Sequence, residues 1–183
     1  MTNTPIRVAA VLLSALALGA PRWPHATIRA RAAVGAGPTM LAVGTGPISV
    51  AVDTKTDRAF VLNSSNTVSV VDVARDAVVR TVPVPGTIVT NYTPGLQLMA
   101  VDTTTGRVFV VNEYKDTLTI LDAASGAVRG RTAVAGGPCM VAVNPSSGQI
   151  IVVSCGDETA AATIRILDGG SGRVLRAQPL PDG

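Results

Sequence analysis

The sequence predicts an all-β fold that is built from repeated four-stranded sheets, and three observations support this prediction. Aromatic residues make up 3% and charged residues 15% of the 183 residues, whereas the chain contains 18 glycines and 12 prolines. Runs of valine, isoleucine and threonine are separated by glycine and aspartate, as is typical of short strands joined by tight turns. The third observation, an internal repeat, decides the architecture.

The repeat is clearest in two segments. Val50–Asn63 (VAVDTKTDRAFVLN) is similar to Met99–Asn112 (MAVDTTTGRVFVVN), and Val141–Ser154 (VAVNPSSGQIIVVS) is a third, looser copy. Each copy is followed by a second shared segment that ends in aspartate; these segments are Thr67–Asp72, Thr117–Asp122 and Thr163–Asp168. Spacings of about 42 to 50 residues match one blade of a β-propeller. We predict about three blades, at residues 49–86, 97–136 and 139–183.

Each copy divides into four strands. In the first copy the predicted strands are Ser49–Asp53, Arg58–Asn63, Thr67–Asp72 and Ala77–Val84. The second strand is apolar almost throughout, which predicts burial on both faces, as stacked blades provide. The fourth strand carries arginines, as expected for the outer rim: Arg80, Arg129, Arg131 and Arg176. A β-sandwich is the competing fold, but it does not require three similar copies.

Single acidic or amide residues recur at the turns. They are Asp53, Asp102 and Asn144 after the first strand, and Asp72, Asp122 and Asp168 after the third. Such side chains accept hydrogen bonds from their own turn backbone. Because they occur one per turn on different blades, we interpret them as turn residues rather than metal ligands.

Residues 1–32 are predicted to be a signal peptide. Arg7 precedes the apolar stretch Val8–Ala20, and four of the 15 basic residues lie in this leader, which contains no acidic residue. The rest of the chain therefore has one basic residue fewer than its 12 acidic ones, which argues against nucleic-acid binding. We predict an exported protein, periplasmic, secreted or at the cell surface, with no transmembrane span after leader removal.

Residues 33–48 are predicted to be a linker with a possible closing strand. Thr39–Pro47 is similar to Thr132–Pro138, which ends the second blade and leads into the third. Closed propellers have about four to eight blades. We therefore expect Thr39–Val43 to complete a last blade that is absent, so that the ring is truncated or open. Open blade edges should self-associate, and a homodimer that closes a six-blade ring is the alternative.

These residues resemble the YVTN-type β-propeller repeat family. The family's second-strand motif appears as Phe60–Asn63 and Phe109–Asn112, with Gly-Pro at Gly46-Pro47 and Gly137-Pro138; Ile151–Ser154 departs from the motif. The resemblance covers roughly residues 41–183. It implies a propeller fold and an exported or cell-surface location, and it transfers no catalytic residue.

Two connections are longer than their counterparts. Gly86–Gln97 and Cys155–Ala162 both fall at the same end of the blades, and insertions at one end of a repeat array mark a binding side. The alternative is simple tolerance of longer loops. The predicted contact residues are Tyr92, Glu113, Tyr114, Asp116, Asp157 and Glu158.

The sequence offers few groups for catalysis. The only histidine, His25, lies in the leader, so we assign no catalytic residue, no metal ligand and no cofactor. Cys139 and Cys155 bracket a predicted hairpin in which Cys139 lies opposite Ser154, so a one-residue adjustment would bring the sulfurs together. A disulfide and two buried thiols are the alternatives in an oxidising compartment.

The first functional interpretation is therefore a noncatalytic binding or scaffold module whose partner is a protein, a glycan or an envelope component. The second is part of a lactonase-like or quinoprotein-like enzyme whose catalytic residues lie on missing blades. The third is a purely structural cell-surface repeat protein.

Overall fold

A computed structural model describes residues 40–86, 96–156 and 161–180. The predicted leader lies outside these residues. The described chain forms twelve strands and one short 3-10 helix, η1 (Glu113–Lys115). The strands are β1 (Pro47–Asp53), β2 (Arg58–Asn63), β3 (Thr67–Asp72), β4 (Ala77–Pro83), β5 (Met99–Asp102), β6 (Arg107–Asn112), β7 (Thr117–Asp122), β8 (Val128–Ala133), β9 (Pro138–Asn144), β10 (Gln149–Ser154), β11 (Thr163–Asp168) and β12 (Val174–Pro179).

The twelve strands form three antiparallel four-stranded sheets, each made of four consecutive strands in sequence order. We call them blade 1 (β1–β4), blade 2 (β5–β8) and blade 3 (β9–β12). Strand β5 contacts both β1 and β9, so the first strands of the three blades lie together on the inside. The all-β, blade-like architecture is thus confirmed. Within the described residues no helix has the length and apolar character needed to cross a membrane.

The strand positions agree with the sequence prediction to within two residues. In blade 1, β2 and β3 have the predicted bounds, β1 begins two residues earlier at Pro47, and β4 ends one residue earlier at Pro83. The earlier start follows from a bulge, because Pro47 pairs with Asn63 whereas Ser49 pairs with Leu62. Ile48 is therefore the extra residue of β1.

Side chains alternate between two surfaces of each blade. We call the surface that carries Phe60, and its equivalents in the other blades, the front face, and the opposite surface the back face. The front face of blade 1 (Phe60, Leu62, Val68, Val70) and the back face of blade 2 (Met99, Val108, Val110, Leu121) are buried. The front face of blade 2 (Phe109, Val111, Leu118, Ile120) and the back face of blade 3 (Val141, Ile150, Val152, Leu167) are buried as well. One hydrophobic cluster therefore runs through the three blades, front face on back face.

The prediction that every second strand is buried on both faces is correct only for blade 2. Val108, Phe109, Val110 and Val111 are all buried in β6. In β2 and β10 burial alternates instead, and the half-buried residues are Ala59, Val61, Ile151 and Val153. The reason is that blades 1 and 3 each have one neighbouring blade among the described residues, so one apolar face of each remains uncovered.

The recurrent aspartates are turn residues, as predicted. After β1, Asp53 accepts hydrogen bonds from the Lys55 N–H (2.9 Å) and the Thr56 hydroxyl (2.8 Å), and Asp102 acts in the same way after β5. After the third strands, Asp122 accepts from the Ser125 N–H (2.7 Å) and Asp168 from the Ser171 N–H (2.7 Å). Within the described part of the chain, no three histidine, cysteine or acidic side chains form a group that suits a metal ion.

Glycines at two of these turns allow neighbouring blades to approach closely. Gly126 (φ +70°) and Gly172 (φ +72°) are buried and adopt the left-handed conformation. A Cβ on Gly126 would lie 2.7 Å from Val70 Cγ2 of blade 1, and one on Gly172 would lie 2.5 Å from Thr132 Oγ1 of blade 2. Each turn therefore packs against the preceding blade at a distance that only glycine permits.

We predict that Gly126→Ala destabilises the protein more than Gly106→Ala does. Both glycines have positive φ, but a Cβ at Gly106 would meet no atom within 4 Å. The backbone strain is therefore matched, and the alanine at position 126 adds a steric conflict that costs about 1–3 kcal/mol. Urea unfolding of the two variants measures the difference. Equal losses of unfolding free energy would show that blades 1 and 2 do not pack closely at this turn.

We also predict an acid-dependent contribution to stability from Asp122. Hydrogen bonds from the Arg129 guanidinium and from Ser125 lower the pKa of Asp122 to about 2. Because the pKa is lower in the folded state than the unfolded value of about 3.9, this stabilisation is present above about pH 4 and is lost as the pH falls to about 2.

Asp122→Asn should therefore reduce the unfolding free energy by about 1 kcal/mol at pH 7, and this penalty should shrink as the pH falls. Urea titrations at a series of pH values measure it. Asp57→Asn, at an exposed turn of blade 1, is the matched control. A penalty for Asp122→Asn that stays constant from pH 7 to pH 2 would contradict the prediction.

Candidate binding surface

One end of the blades is built by two kinds of connection. Corners join the second and third strands of a blade, and links lead into its first strand. The Ser64 N–H donates to the Gly46 carbonyl (2.7 Å), the Tyr114 N–H to Gly86 (3.1 Å) and the Cys155 N–H to Gly137 (3.0 Å). Each corner therefore holds the link that precedes its own blade. We call this end of the blades the corner surface.

Residues 40–46 occupy the link position before blade 1. They form no strand, and the Gly46–Ser64 bond is equivalent to the Gly137–Cys155 bond before blade 3. Among the residues that the structure describes, the segment similar to Thr132–Pro138 in sequence therefore also occupies the equivalent position in the fold, before the first strand of a blade. That this segment closes a further blade stays a prediction, and Thr39 lies outside the described residues.

Asp116, one of the predicted contact residues, also holds a link. Its Oδ1 accepts a hydrogen bond from the Gly137 N–H (2.9 Å), and its carbonyl accepts one from Val134 (2.7 Å). In blade 1, Asn66 Oδ1 accepts from the Gly86 N–H (3.2 Å). Both corner residues adopt the left-handed conformation, with φ of +50° and +60°. This role was not predicted from the sequence, although a polar residue directly before the third strand recurs in blades 1 and 2 and could have indicated it.

The corner of blade 2 projects its side chains from the surface. Helix η1 makes one turn, which is closed by the Asp116 N–H donating to the Glu113 carbonyl (3.3 Å). Tyr114 is 57% exposed, and Lys115 and Asp116 are exposed beside it. Glu113 is half-buried, and burial raises the pKa of its carboxyl above the usual value. The corner therefore presents an aromatic ring among groups of both charges.

Buried polar pairs support the corners from below. Asn63 Nδ2 donates to Ser69 Oγ (3.1 Å), and Thr119 Oγ1 donates to Asn112 Oδ1 (2.7 Å). In blade 3, where Ser154 replaces the asparagine, Arg165 donates to the Ser154 Oγ (2.8 Å).

Two of these buried residues also hold links. The Asn112 side chain donates to the Val84 carbonyl, and the Ser154 hydroxyl donates to the Ala135 carbonyl. The buried polar pairs were not predicted from the sequence, although the polar residue at the centre of each third strand indicated them.

The structure joins Cys139 and Cys155 in a disulfide with a Cα–Cα distance of 5.8 Å. Met140 pairs with Val153 but Pro138 pairs with Ser154, so a bulge at Cys139 supplies the one-residue adjustment that the sequence required. The disulfide ties the beginning of β9 to the corner of blade 3. By loop-closure entropy, a separation of 16 residues stabilises the fold by about 3 kcal/mol.

Three of the six predicted contact residues lie together at the corner of blade 2: Glu113, Tyr114 and Asp116. The other three, Tyr92, Asp157 and Glu158, lie outside the described residues. The described ends of the two long connections do reach this surface, because Gly86 accepts from Tyr114 and the Gly156 N–H donates to Gly136 (3.1 Å).

Two cavities lie away from the predicted residues. The first, of about 360 Å³, runs along the inner strands, and Gln97 is the only polar residue among the described ones that line it: Val50, Ala51, Val52, Gln97, Ala100, Val101, Ala142 and Val143. The second, of about 240 Å³, lies at the outer rim of blades 2 and 3 and contains Arg107, Arg129 and Arg131. Arg107 donates to the Gly169 carbonyl and so connects blade 2 to blade 3, whereas Arg129 pairs with Asp122 within blade 2.

No family model and no curated protein matches the chain. Among solved structures, the chain is similar to hydrazine synthase of Kuenenia stuttgartiensis, with a TM-score of 0.63 and 20% sequence identity. The similarity covers 76% of this chain and 39% of that chain, so this chain corresponds to less than half of that protein's length. At this identity the likeness shows the blade-like fold alone, and the resemblance to the YVTN-type repeat family stays a prediction.

We predict that Asp116→Ala destabilises the protein whereas Asp116→Asn does not. The acceptor oxygen for the Gly137 N–H is lost in the first variant and kept in the second, as it is in Asn66 of blade 1. Loss of one such bond costs about 1 kcal/mol. Urea unfolding at pH 7 measures both variants. An equal loss in the two would show that the negative charge, rather than the hydrogen bond, holds the link.

Proposed function

We propose that the chain is an exported, noncatalytic β-propeller repeat protein of the YVTN type that binds a partner through its corner surface. The observation that carries the proposal is the corner of blade 2, where Tyr114 is 57% exposed between the starting points of the two longest connections. The lactonase-like and quinoprotein-like alternatives stay predictions, because they place the chemistry on blades that these residues do not include.

The corner of blade 2 is held rigidly enough to act as a binding surface. Its backbone bonds to Gly86 and Val134, and the Asp116 side chain bonds to Gly137, so links on both sides of blade 2 fix it. Directly beneath it, Asn112 and Thr119 are fully buried and hydrogen-bonded. A partner therefore meets a preorganised surface and does not have to order it, which reduces the entropic cost of binding.

The chemistry of the corner favours a polar partner with an apolar patch. Tyrosine offers a large contact area at low entropic cost and is enriched among residues that dominate binding energy. Lys115 and Asp116, the two exposed residues that follow Tyr114, carry opposite charges, which suits neutral or mixed-charge partners better than polyanions. Extracellular glycans and envelope proteins meet this description, and exported location is part of the same proposal.

We predict that Tyr114→Ala weakens binding about tenfold or more, because the ring is the central aromatic group of the surface. The probes are an immobilised glycan array and purified peptidoglycan, and retention of the 183-residue chain is measured on both. Tyr114→Phe should retain most of the binding, since it keeps the ring.

Val73→Ala is the matched control, because Val73 is 49% exposed in a turn at the opposite end of blade 1. It should bind as wild type does. The proposal of a glycan partner fails if wild type is retained by neither probe. It also fails if Tyr114→Ala binds as tightly as the control.

A further inference from the structure

Two apolar blade faces remain uncovered among the described residues. On the front face of blade 3, Ile151, Val153, Ile164 and Ile166 are half-buried. Their equivalents on the front face of blade 1, Phe60, Leu62, Val68 and Val70, are all buried. On the back face of blade 1, Val50 is 64% and Val52 52% exposed, and Ala59 and Val61 are half-buried. Their equivalents in blade 2 are largely buried.

The two uncovered faces are complementary, because one is a front face and the other is a back face. Between blades 1 and 2, and again between blades 2 and 3, a front face packs on a back face. The uncovered front of blade 3 therefore lacks a back face, and the uncovered back of blade 1 lacks a front face. A second copy of the same chain supplies both, since its blade 1 offers the back face that blade 3 lacks.

An arginine at the rim indicates how such a contact is completed. Arg80 pairs with Val70 across β3 and β4, and its guanidinium donates to the Ser125 carbonyl in the turn of blade 2 (3.1 Å). Arg176 pairs with Ile166 in the same register across β11 and β12. Arg176 is therefore the equivalent of Arg80, and it is exposed on the uncovered side of blade 3.

The turn that would meet Arg176 contains an exposed acidic residue, Asp76, next to Arg75, whose guanidinium pairs with Asp72. Asp76 follows Asp72 in blade 1 as Gly126 follows Asp122 in blade 2, and both adopt positive φ. Gly126 is buried against Val70 and Arg80, whereas Asp76 is exposed. If the turn of a second copy sat on blade 3, Asp76 would lie beside Arg176. Its Cβ requires a wider approach than glycine does, and the carboxylate then fills the gap next to the guanidinium.

We propose that the back face of blade 1 docks on the front face of blade 3 of a second copy, with Asp76 against Arg176, and that two copies close one ring. Closed propellers contain about four to eight blades. Two copies of the three described blades supply six blades, which lies within this range, whereas three copies supply nine, which lies outside it. This proposal rests on the blade faces and is independent of the binding role of Tyr114.

Sedimentation velocity of the 183-residue chain at roughly 5–50 µM, the concentration range in which such interfaces are populated, tests the proposal. We expect twice the chain mass. Ala59→Arg disables the back face of blade 1, because its equivalents Val108 and Ile150 are fully buried, and Ile166→Glu disables the front face of blade 3. Each variant alone should be monomeric, and circular dichroism checks that it is folded. An equimolar mixture should form a heterodimer, because one intact contact remains.

The rim pair gives a second test that leaves the apolar faces unchanged. Asp76→Arg and Arg176→Asp should each weaken the dimer roughly two- to fivefold, and the double variant should recover wild-type affinity. Arg75→Asp, at the neighbouring exposed position that pairs with Asp72 within its own turn, is the control and is not rescued by Arg176→Asp. A monomeric wild type, a mass above the dimer, or a mixture of the face variants that stays monomeric overturns the proposal.

Discussion

The packing of one blade's front face on the next blade's back face is the contact on which the rest of the structure depends. The second strands are apolar on both sides, and burial of one large apolar side chain contributes about 1.5–3 kcal/mol. Blade 2 gains this on both faces, because Phe109 and Val111 point towards blade 3 while Val108 and Val110 point towards blade 1. A single blade would leave both of its apolar faces in water, so the repeat is stable only as an array.

The corner surface follows from this packing. Once the blades are stacked, every link must cross from an outer fourth strand to the next inner strand, and its backbone groups need partners. The corners provide them through equivalent bonds at Gly46, Gly86 and Gly137. Because the connections are fixed where they enter and leave the sheets, added length between those points does not disturb the blades. Long connections at this end therefore cost little stability, which makes this end of the blades suitable for binding a partner.

The strands and turns could be predicted from the sequence because their determinants are local and occur three times. The apolar run of β2 and the aspartate or asparagine at each turn are visible without knowledge of the neighbours, and the hairpin register even placed Cys139 near Cys155. Burial could not be predicted in the same way, because β6 and β2 have similar sequences but different numbers of neighbouring blades. The role of Asp116 was missed for a related reason: its partner Gly137 lies 21 residues away, beyond two further strands.

Departures from the repeat carry information that the shared pattern does not. Where two blades meet within the chain, the turn before the fourth strand has glycine, at Gly126 and Gly172, because a side chain there would collide with the preceding blade. Blade 1 has no preceding blade among the described residues, and its turn has Asp76 instead. A surface that packs on this turn must therefore lie farther away than blade 1 lies from Gly126, because a Cβ at Gly126 would come within 2.7 Å of Val70 Cγ2. In the proposed dimer, Asp76 and Arg176 are therefore the residues that distinguish the contact between two copies from the contacts between blades of one chain.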